Sequence, residues 1–183
     1  MLQKLIVCLT GMPGAGKSTI AEGLKSKGYK IVNMGDAVRA EAKNRGLEPS
    51  AANLGQLMLE LRKKSGPGAV AELVKGHIKD SKSSTVIIDG IRSNTEIAVL
   101  RKYGNVRLLA IHASADTRFD FIRHRGRSDD PHTKENFEER DNRELGVGIS
   151  DSIALSEEVI NNNNMTKDEL IDAAFEKIES WLK

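Results

Sequence analysis

The chain has 183 residues, 39% of them hydrophobic and 30% charged, which suits a buried core without disulfides and argues against wholesale disorder. Lys and Arg number 28 against 26 Asp and Glu, so a formal net charge of +2 gives no reason to expect the non-specific nucleic-acid binding of a strongly basic chain. The single cysteine, Cys8, lies in an apolar run and excludes an intrachain disulfide or a cysteine-rich zinc site.

That apolar run, residues 5–9, is too short for a membrane span of about 20 residues. It leads straight into a glycine loop with no small-residue cleavage site, so neither a membrane segment nor a signal peptide is expected, and the cytoplasm is the expected location.

Residues 4–10 read as the first buried strand, and a helix follows over 17–27, with Ile20, Ala21 and Leu24 on one face and Gly28 to end it. A short strand at 30–34 leads to a helix over 37–45 that Asp36 can cap. Residues 54–64 place Leu54, Leu57, Met58 and Leu61 at helical spacing, and Pro67 can start the next helix, to about 79. Then come a strand at 85–89, a helix at 94–102, a strand at 106–112 and a helix at 116–124. A short strand at 158–161 precedes Thr166 and Glu169, which form a capping-box pattern before a last helix at 167–182.

The first, third and fourth strands are nearly continuous runs of Val, Ile and Leu, as expected of a parallel sheet covered on both faces. Strands alternating with helices imply right-handed β-α-β units and an α/β sandwich. No repeat or Pro/Gly-rich boundary divides the chain, so residues 1–183 are expected to form one domain.

The strongest motif is Gly11, Met12, Pro13, Gly14, Ala15, Gly16, Lys17, Ser18, followed by Thr19. It fits G-x-x-x-x-G-K-[ST], and an apolar strand before it with a helix after it supplies the context that pattern needs. Its glycines let backbone N–H groups turn inward around phosphate oxygens, and the helix N-terminus adds its positive end. Lys17 can reach β- and γ-phosphates, and Ser18 can ligate Mg²⁺. Asp89 ends the third strand, at the edge where open α/β sheets bind ligands, and can hold the Mg²⁺ shell through water.

Asp36 and Arg39 follow the second strand, three residues apart on one helix face. Asp36 can accept a hydroxyl proton or orient an acceptor, and Arg39 offers a planar fork to a phosphate. The competing reading of Asp36 is a helix cap in a surface ion pair. Arg92 lies three residues beyond Asp89, above the same sheet edge.

The densest basic stretch is Arg118, Arg123, His124, Arg125 and Arg127, with Arg140 and Arg143 further on. Arg123 and Arg127 are i,i+4, so one helix face could aim both at a triphosphate, where positive charge and water exclusion favour phosphoryl transfer. An RNA surface is the weaker reading, because aromatics are only 4% of the chain and stacking platforms are scarce.

These elements together resemble the P-loop nucleotide kinases, the branch that holds adenylate kinases and dephospho-CoA kinases. The overall pattern is most similar to a largely archaeal adenylate-kinase-related group. The likeness covers most of the chain: the phosphate loop, Gly35-Asp36 with Arg39, Asp89-Gly90 with Arg92, residues 125–130, 139–144 and 148–153, and Val159-Ile160-Asn161. The resemblance implies a three-layer P-loop NTP hydrolase fold, with a five-stranded parallel sheet ordered 2-3-1-4-5; the arginine-rich stretch is expected to form a small lid over about 118–146, and no long lid of the adenylate-kinase type is visible. Acceptor-binding helices would occupy about 36–80.

Arg39 and Arg92 match the arginines that bind the monophosphate in adenylate kinases, although Ile91 stands where a proline is expected and the element is one residue shorter. Asp36 matches the acid of dephospho-CoA kinases, and by the same likeness Asn161 or its neighbours would contact the adenine.

The implied activity is phosphoryl transfer from ATP, with Mg²⁺, to a small nucleotide-like acceptor. AMP is the first candidate, and a dephospho-CoA-type hydroxyl or a slowly hydrolysing nucleotide switch is the alternative. Lys17, Asp36, Arg123 and Arg127 are the expected catalytic group, Arg39 and Arg92 acceptor ligands, and Ser18 and Asp89 the metal side. The expected partner is the small-molecule nucleotide, with no nucleic acid and no membrane.

Overall fold

The computed structural model describes residues 3–127 and 130–183. Ser128 and Asp129, within the arginine-rich motif at 125–130, lie outside the described residues.

Among the described residues five strands form one parallel sheet: β1 (Leu5–Thr10), β2 (Lys30–Asn33), β3 (Thr85–Ile91), β4 (Asn105–His112) and β5 (Glu158–Asn161). Their order is β2-β3-β1-β4-β5, the order that the family resemblance implies. All six residues of β1 are buried, as its unbroken apolar run requires of a strand covered on both faces.

The helices are α1 (Lys17–Ser26), α2 (Met34–Asn44), α3 (Ala51–Ser65), α4 (Ala69–Lys79), α5 (Asn94–Leu100), α6 (Ala115–Arg125), α7 (Lys134–Val147), α8 (Ile149–Ala154) and α9 (Lys167–Leu182). Alternate residues of β1 face opposite layers. Val7 and Leu9 join Ile20 and Leu24 of α1 and Leu170, Ala174 and Ile178 of α9, whereas Ile6 and Cys8 join residues of α2 to α5. Each fully buried Leu or Ile there contributes about 1.5–3 kcal/mol by leaving water.

Several boundaries move for identifiable reasons. α2 starts at Met34, because Asn33 rather than Asp36 is its cap: the Asn33 side chain accepts the Asp36 N–H at 3.0 Å, which puts Asp36 inside the first turn. α3 starts at Ala51, capped by Ser50. α4 starts at Ala69, so Pro67 belongs to the turn before it. The capping box of Thr166 and Glu169 is formed. α7 and α8 stand where the sequence pattern gave no helix. α7 buries only Phe137 and Glu144, too few apolar positions for a 3.6-residue period to register.

Candidate active site

The loop from β1 to α1 carries the phosphate-binding pattern at the carboxyl edge of the sheet. Gly16 has φ 113°, and an added Cβ would lie 2.6 Å from Asn162 Nδ2, so glycine alone fits there. Among the described residues no side chain caps α1, so its first N–H groups have no capping partner, the arrangement in which a helix N-terminus can take an anion. Lys17 Nζ donates to the carbonyls of Gly11 at 2.5 Å and Met12 at 3.1 Å, folded over its own loop. Burial lowers its ammonium to about 8, with Asp89 the chief opposing influence.

Two spaces meet at Gly14, Lys17 and Ser18. The larger, about 500 Å³, runs between α1, the end of α6 and the start of α9, and its walls include Thr19, Phe121, Asn162 and Met165. The smaller, about 100 Å³, lies towards α2 and is walled by Asn33, Arg39, Asp89, Arg92, Arg140 and Glu144. A further recess of about 50 Å³ continues it past Val38, Leu54 and Met58, with Arg143 joining Arg39, Arg92 and Arg140. Arg125 and Arg127 face both of the two principal spaces.

Asp89 is buried, and its Oδ2 accepts from Asn33 Nδ2 at 2.7 Å. Burial pushes its carboxyl above the usual carboxylate range, opposed first by Lys17 and then by Arg127 and Arg92. Asp36 behaves differently. Its side chain is 70% exposed and holds Arg39 in an ion pair at 2.6 Å, the surface arrangement weighed against a catalytic one. Arg39 borders the arginine-lined chamber, and Asp36 is not among its lining residues.

Arg92 reaches the chamber but is already paired: its Nε lies 2.6 Å from Glu144 Oε2, and its backbone N–H donates to Glu96 Oε2 at 2.8 Å. Glu144 is the main cause of the guanidinium being held above its ordinary range.

Arg123 is not brought to the site. It is exposed over the ring of Phe119, 5.9 Å from the centroid, and lines neither principal space. The expected i,i+4 pairing with Arg127 fails because α6 ends at Arg125 and Gly126 turns left-handed at φ 62°, so Arg127 is off the helix. Asp130 organises this turn by accepting from Arg125, from the Arg127 N–H at 3.0 Å and from Arg140 at 3.3 Å. Burial pushes its carboxyl up, but these donors outweigh burial and hold it below the usual range.

Arg118, from the same basic stretch, is buried and structural. It donates to Ala113 O at 3.2 Å and Pro13 O at 3.0 Å, and it grips Asp141 of α7 with bonds of 2.9 and 2.6 Å. The Pro13 carbonyl of the β1–α1 loop and α7 are thereby tied to one guanidinium.

Asn161 is exposed, and its Oδ1 accepts from Asn163 N at 3.2 Å. Its neighbour Asn162 lines the larger cleft and donates to Ala15 O at 2.9 Å. Strand alternation explains the swap: Ile160 and Asn162 point inward, and Asn161 points out. Segments 125–130 and 139–144 carry the family likeness and end on Asp130 and Glu144, but the pattern does not indicate what either side chain holds, and no motif marks Asn33. Helical spacing would have paired Glu144 with Arg140, whereas the structure pairs it with Arg92 from across the fold.

Residues 10–138 match the family model described as an AAA domain. The UPF0200 protein of Hyperthermus butylicus is 44% identical over 159 residues, covering 87% of this chain and 86% of that protein. That of Pyrococcus abyssi is 42% identical over 165 residues, covering 87% and 88%. The chain belongs to the UPF0200 family.

The UPF0200 chain superposes on a Thermus thermophilus protein, TT1252, with a TM-score of 0.73 at 16% identity, covering 99% of both chains. Shikimate kinase from Acinetobacter baumannii, solved in complex with shikimate, matches with a TM-score of 0.58 at 16% identity, covering 98% of the UPF0200 chain and 94% of that enzyme. The chain therefore shares the fold of that kinase. No helix among the described residues is long and apolar enough to cross a membrane.

Proposed function

We propose that the protein is a cytoplasmic, ATP- and Mg²⁺-dependent phosphotransferase whose acceptor is a nucleoside monophosphate, AMP first. One observation carries the choice of acceptor. The acid expected to serve a hydroxyl acceptor, Asp36, is turned outward onto Arg39, while Arg39, Arg92, Arg140 and Arg143 surround the chamber next to Lys17. A phosphate acceptor is already ionised at neutral pH and needs guanidinium groups rather than a general base.

In this reading the donor occupies the larger cleft, with its phosphates on Gly11 to Thr19 and its base towards Phe121 and Asn162. Ser18 and Asp89 would hold the metal. A hydroxyl at a helix N-terminus and a buried carboxylate beside it are hard oxygen donors of the kind Mg²⁺ takes. Bound Mg²⁺ would neutralise charge on the β- and γ-phosphate oxygens.

An acceptor phosphate oxygen attacks the γ-phosphorus, the bond to the β–γ bridging oxygen breaks, and two nucleoside diphosphates result when the acceptor is AMP. Lys17 leaves its own loop carbonyls for the γ-phosphate. Arg127, which faces both spaces, stabilises the equatorial charge of the transferring group with Arg125 beside it. Arg127 keeps the part expected of it, and Arg125 takes the place expected of Arg123.

The test is a product assay by mass spectrometry with Mg²⁺-ATP and isotopically labelled AMP, CMP, UMP, GMP or dephospho-CoA, with Lys17→Ala as control. Labelled ADP from labelled AMP, absent with Lys17→Ala, is the expected result. Phosphorylated dephospho-CoA with no labelled diphosphate would replace this reading with the hydroxyl-kinase one. ADP formed from ATP at a rate no acceptor changes would point to a nucleotide switch.

A further inference from the structure

We infer that Asn33 is a positioning residue, one amide that sets both the metal-side carboxylate Asp89 and the acceptor helix α2; this rests on the functional reading above. The parallel register pairs Asn33 with Asp89 across β2 and β3. From there Asn33 Nδ2 donates to Asp89 Oδ2 at 2.7 Å, while Asn33 Oδ1 accepts the Asp36 N–H at 3.0 Å and caps α2.

An amide carries its donor and its acceptor on separate atoms, so both contacts are made at once and without charge. With Oδ2 engaged, Asp89 is held in one orientation, and its other oxygen is left for the metal shell beside Ser18. On the other side, the cap fixes where α2 begins, and Arg39 stands in the turn that follows the capped one. An added Cβ on Gly35 would lie 3.1 Å from Asn33 Oδ1 and 3.4 Å from Arg39 Nη2, so the amide and the Arg39 guanidinium flank the same glycine. Asn33 itself lines the chamber. A carboxylate at 33 would keep the cap but set two acids against each other, which the amide avoids.

Two variants separate the two contacts. Asn33→Ser keeps a capping oxygen but cannot span to Asp89, and Asn33→Ala loses both. The metal arm follows binding of a fluorescent ADP derivative while Mg²⁺ is titrated. The acceptor arm follows AMP binding by calorimetry without Mg²⁺. Neither requires turnover.

Both variants should raise the Mg²⁺ concentration for half-maximal nucleotide binding about tenfold, the loss expected of one hydrogen bond to a charged group. Asn33→Ser should leave AMP affinity within about twofold of wild type, because serine caps as well as asparagine. Asn33→Ala should weaken AMP binding about threefold to tenfold.

An unchanged Mg²⁺ requirement in Asn33→Ser would overturn the assignment, as would parallel losses of Mg²⁺ and AMP binding in that variant. The serine variant alone carries the metal arm if the alanine variant fails to fold. Wild-type nucleotide binding that ignores Mg²⁺ would refute the functional reading and this inference together, whereas a Mg²⁺-dependent wild type with an indifferent Asn33→Ser refutes only the inference.

Discussion

Replacing Arg118 with methionine removes a guanidinium that is 5% exposed and makes four hydrogen bonds, two of them to Asp141. The methionine fills much of the volume, so the cost comes from what is stranded: the Asp141 carboxylate, whose side chain is 15% exposed, and the Pro13 carbonyl. Breaking a buried pair from one side costs about 3–5 kcal/mol, and the partial exposure of Asp141 puts this case near the lower end, about 3 kcal/mol. Folding survives against a typical stability of about 5–15 kcal/mol, and the melting temperature falls by roughly 6–12 °C.

Urea unfolding of Arg118→Met, Asp141→Leu and the double variant closes a thermodynamic cycle. The double variant strands no charge, so it should be more stable than Arg118→Met by about 1 kcal/mol or more. Nucleotide affinity should stay reduced in the double variant, because the Pro13 carbonyl has still lost its anchor. Strictly additive losses across the cycle would show that the guanidinium and Asp141 act independently and would refute a tie between the β1–α1 loop and α7 through Arg118.

The Lys17 ammonium, lowered by burial to about 8, should rise when phosphate oxygens bind it, so nucleotide binding takes up a proton wherever Lys17 is deprotonated beforehand. Calorimetry in buffers of different ionisation enthalpy should find about half a proton taken up at pH 8, almost none at pH 6.5, and an affinity that weakens as pH rises above 8. Glu144→Gln frees Arg92 from its counter-charge; AMP should bind about threefold to tenfold tighter by calorimetry, at a stability cost of about 1–3 kcal/mol. Asn162→Ala strands the Ala15 carbonyl and should cost about 1–3 kcal/mol in thermal unfolding, whereas Asn161→Ala should stay within about 0.5 kcal/mol of wild type.

What the sequence revealed followed from how loudly each element speaks. The strand cores were legible because burial on both faces demands unbroken apolar runs, as in Leu5 to Leu9 and Val86 to Ile88. The phosphate loop was legible because its glycines and Lys17 have few other uses in that order. α7 was not, since it buries Phe137 and a carboxylate rather than an apolar stripe. The arginines could be counted but not aimed: Gly126 ends α6 early, so helical spacing placed Arg123 wrongly, and Arg118 turned inward to hold Asp141. Asp36 lost its proposed cap and its place in the chamber to the residue three before it, whose amide satisfies two partners at once.

The sheet also has a consequence for how the protein behaves in crowded solution. Its two outer strands, β2 and β5, have four residues each, against six, seven and eight for the inner three. Each begins with a charged residue, Lys30 in one and Glu158 in the other. Short rims that begin on charge give an incoming strand little backbone to pair with and a dehydration penalty to meet first. The long apolar strands most prone to stack between molecules are the central three, each already paired on both sides. Aggregation through the sheet therefore requires the rims to detach first, so it should track partial unfolding rather than protein concentration alone.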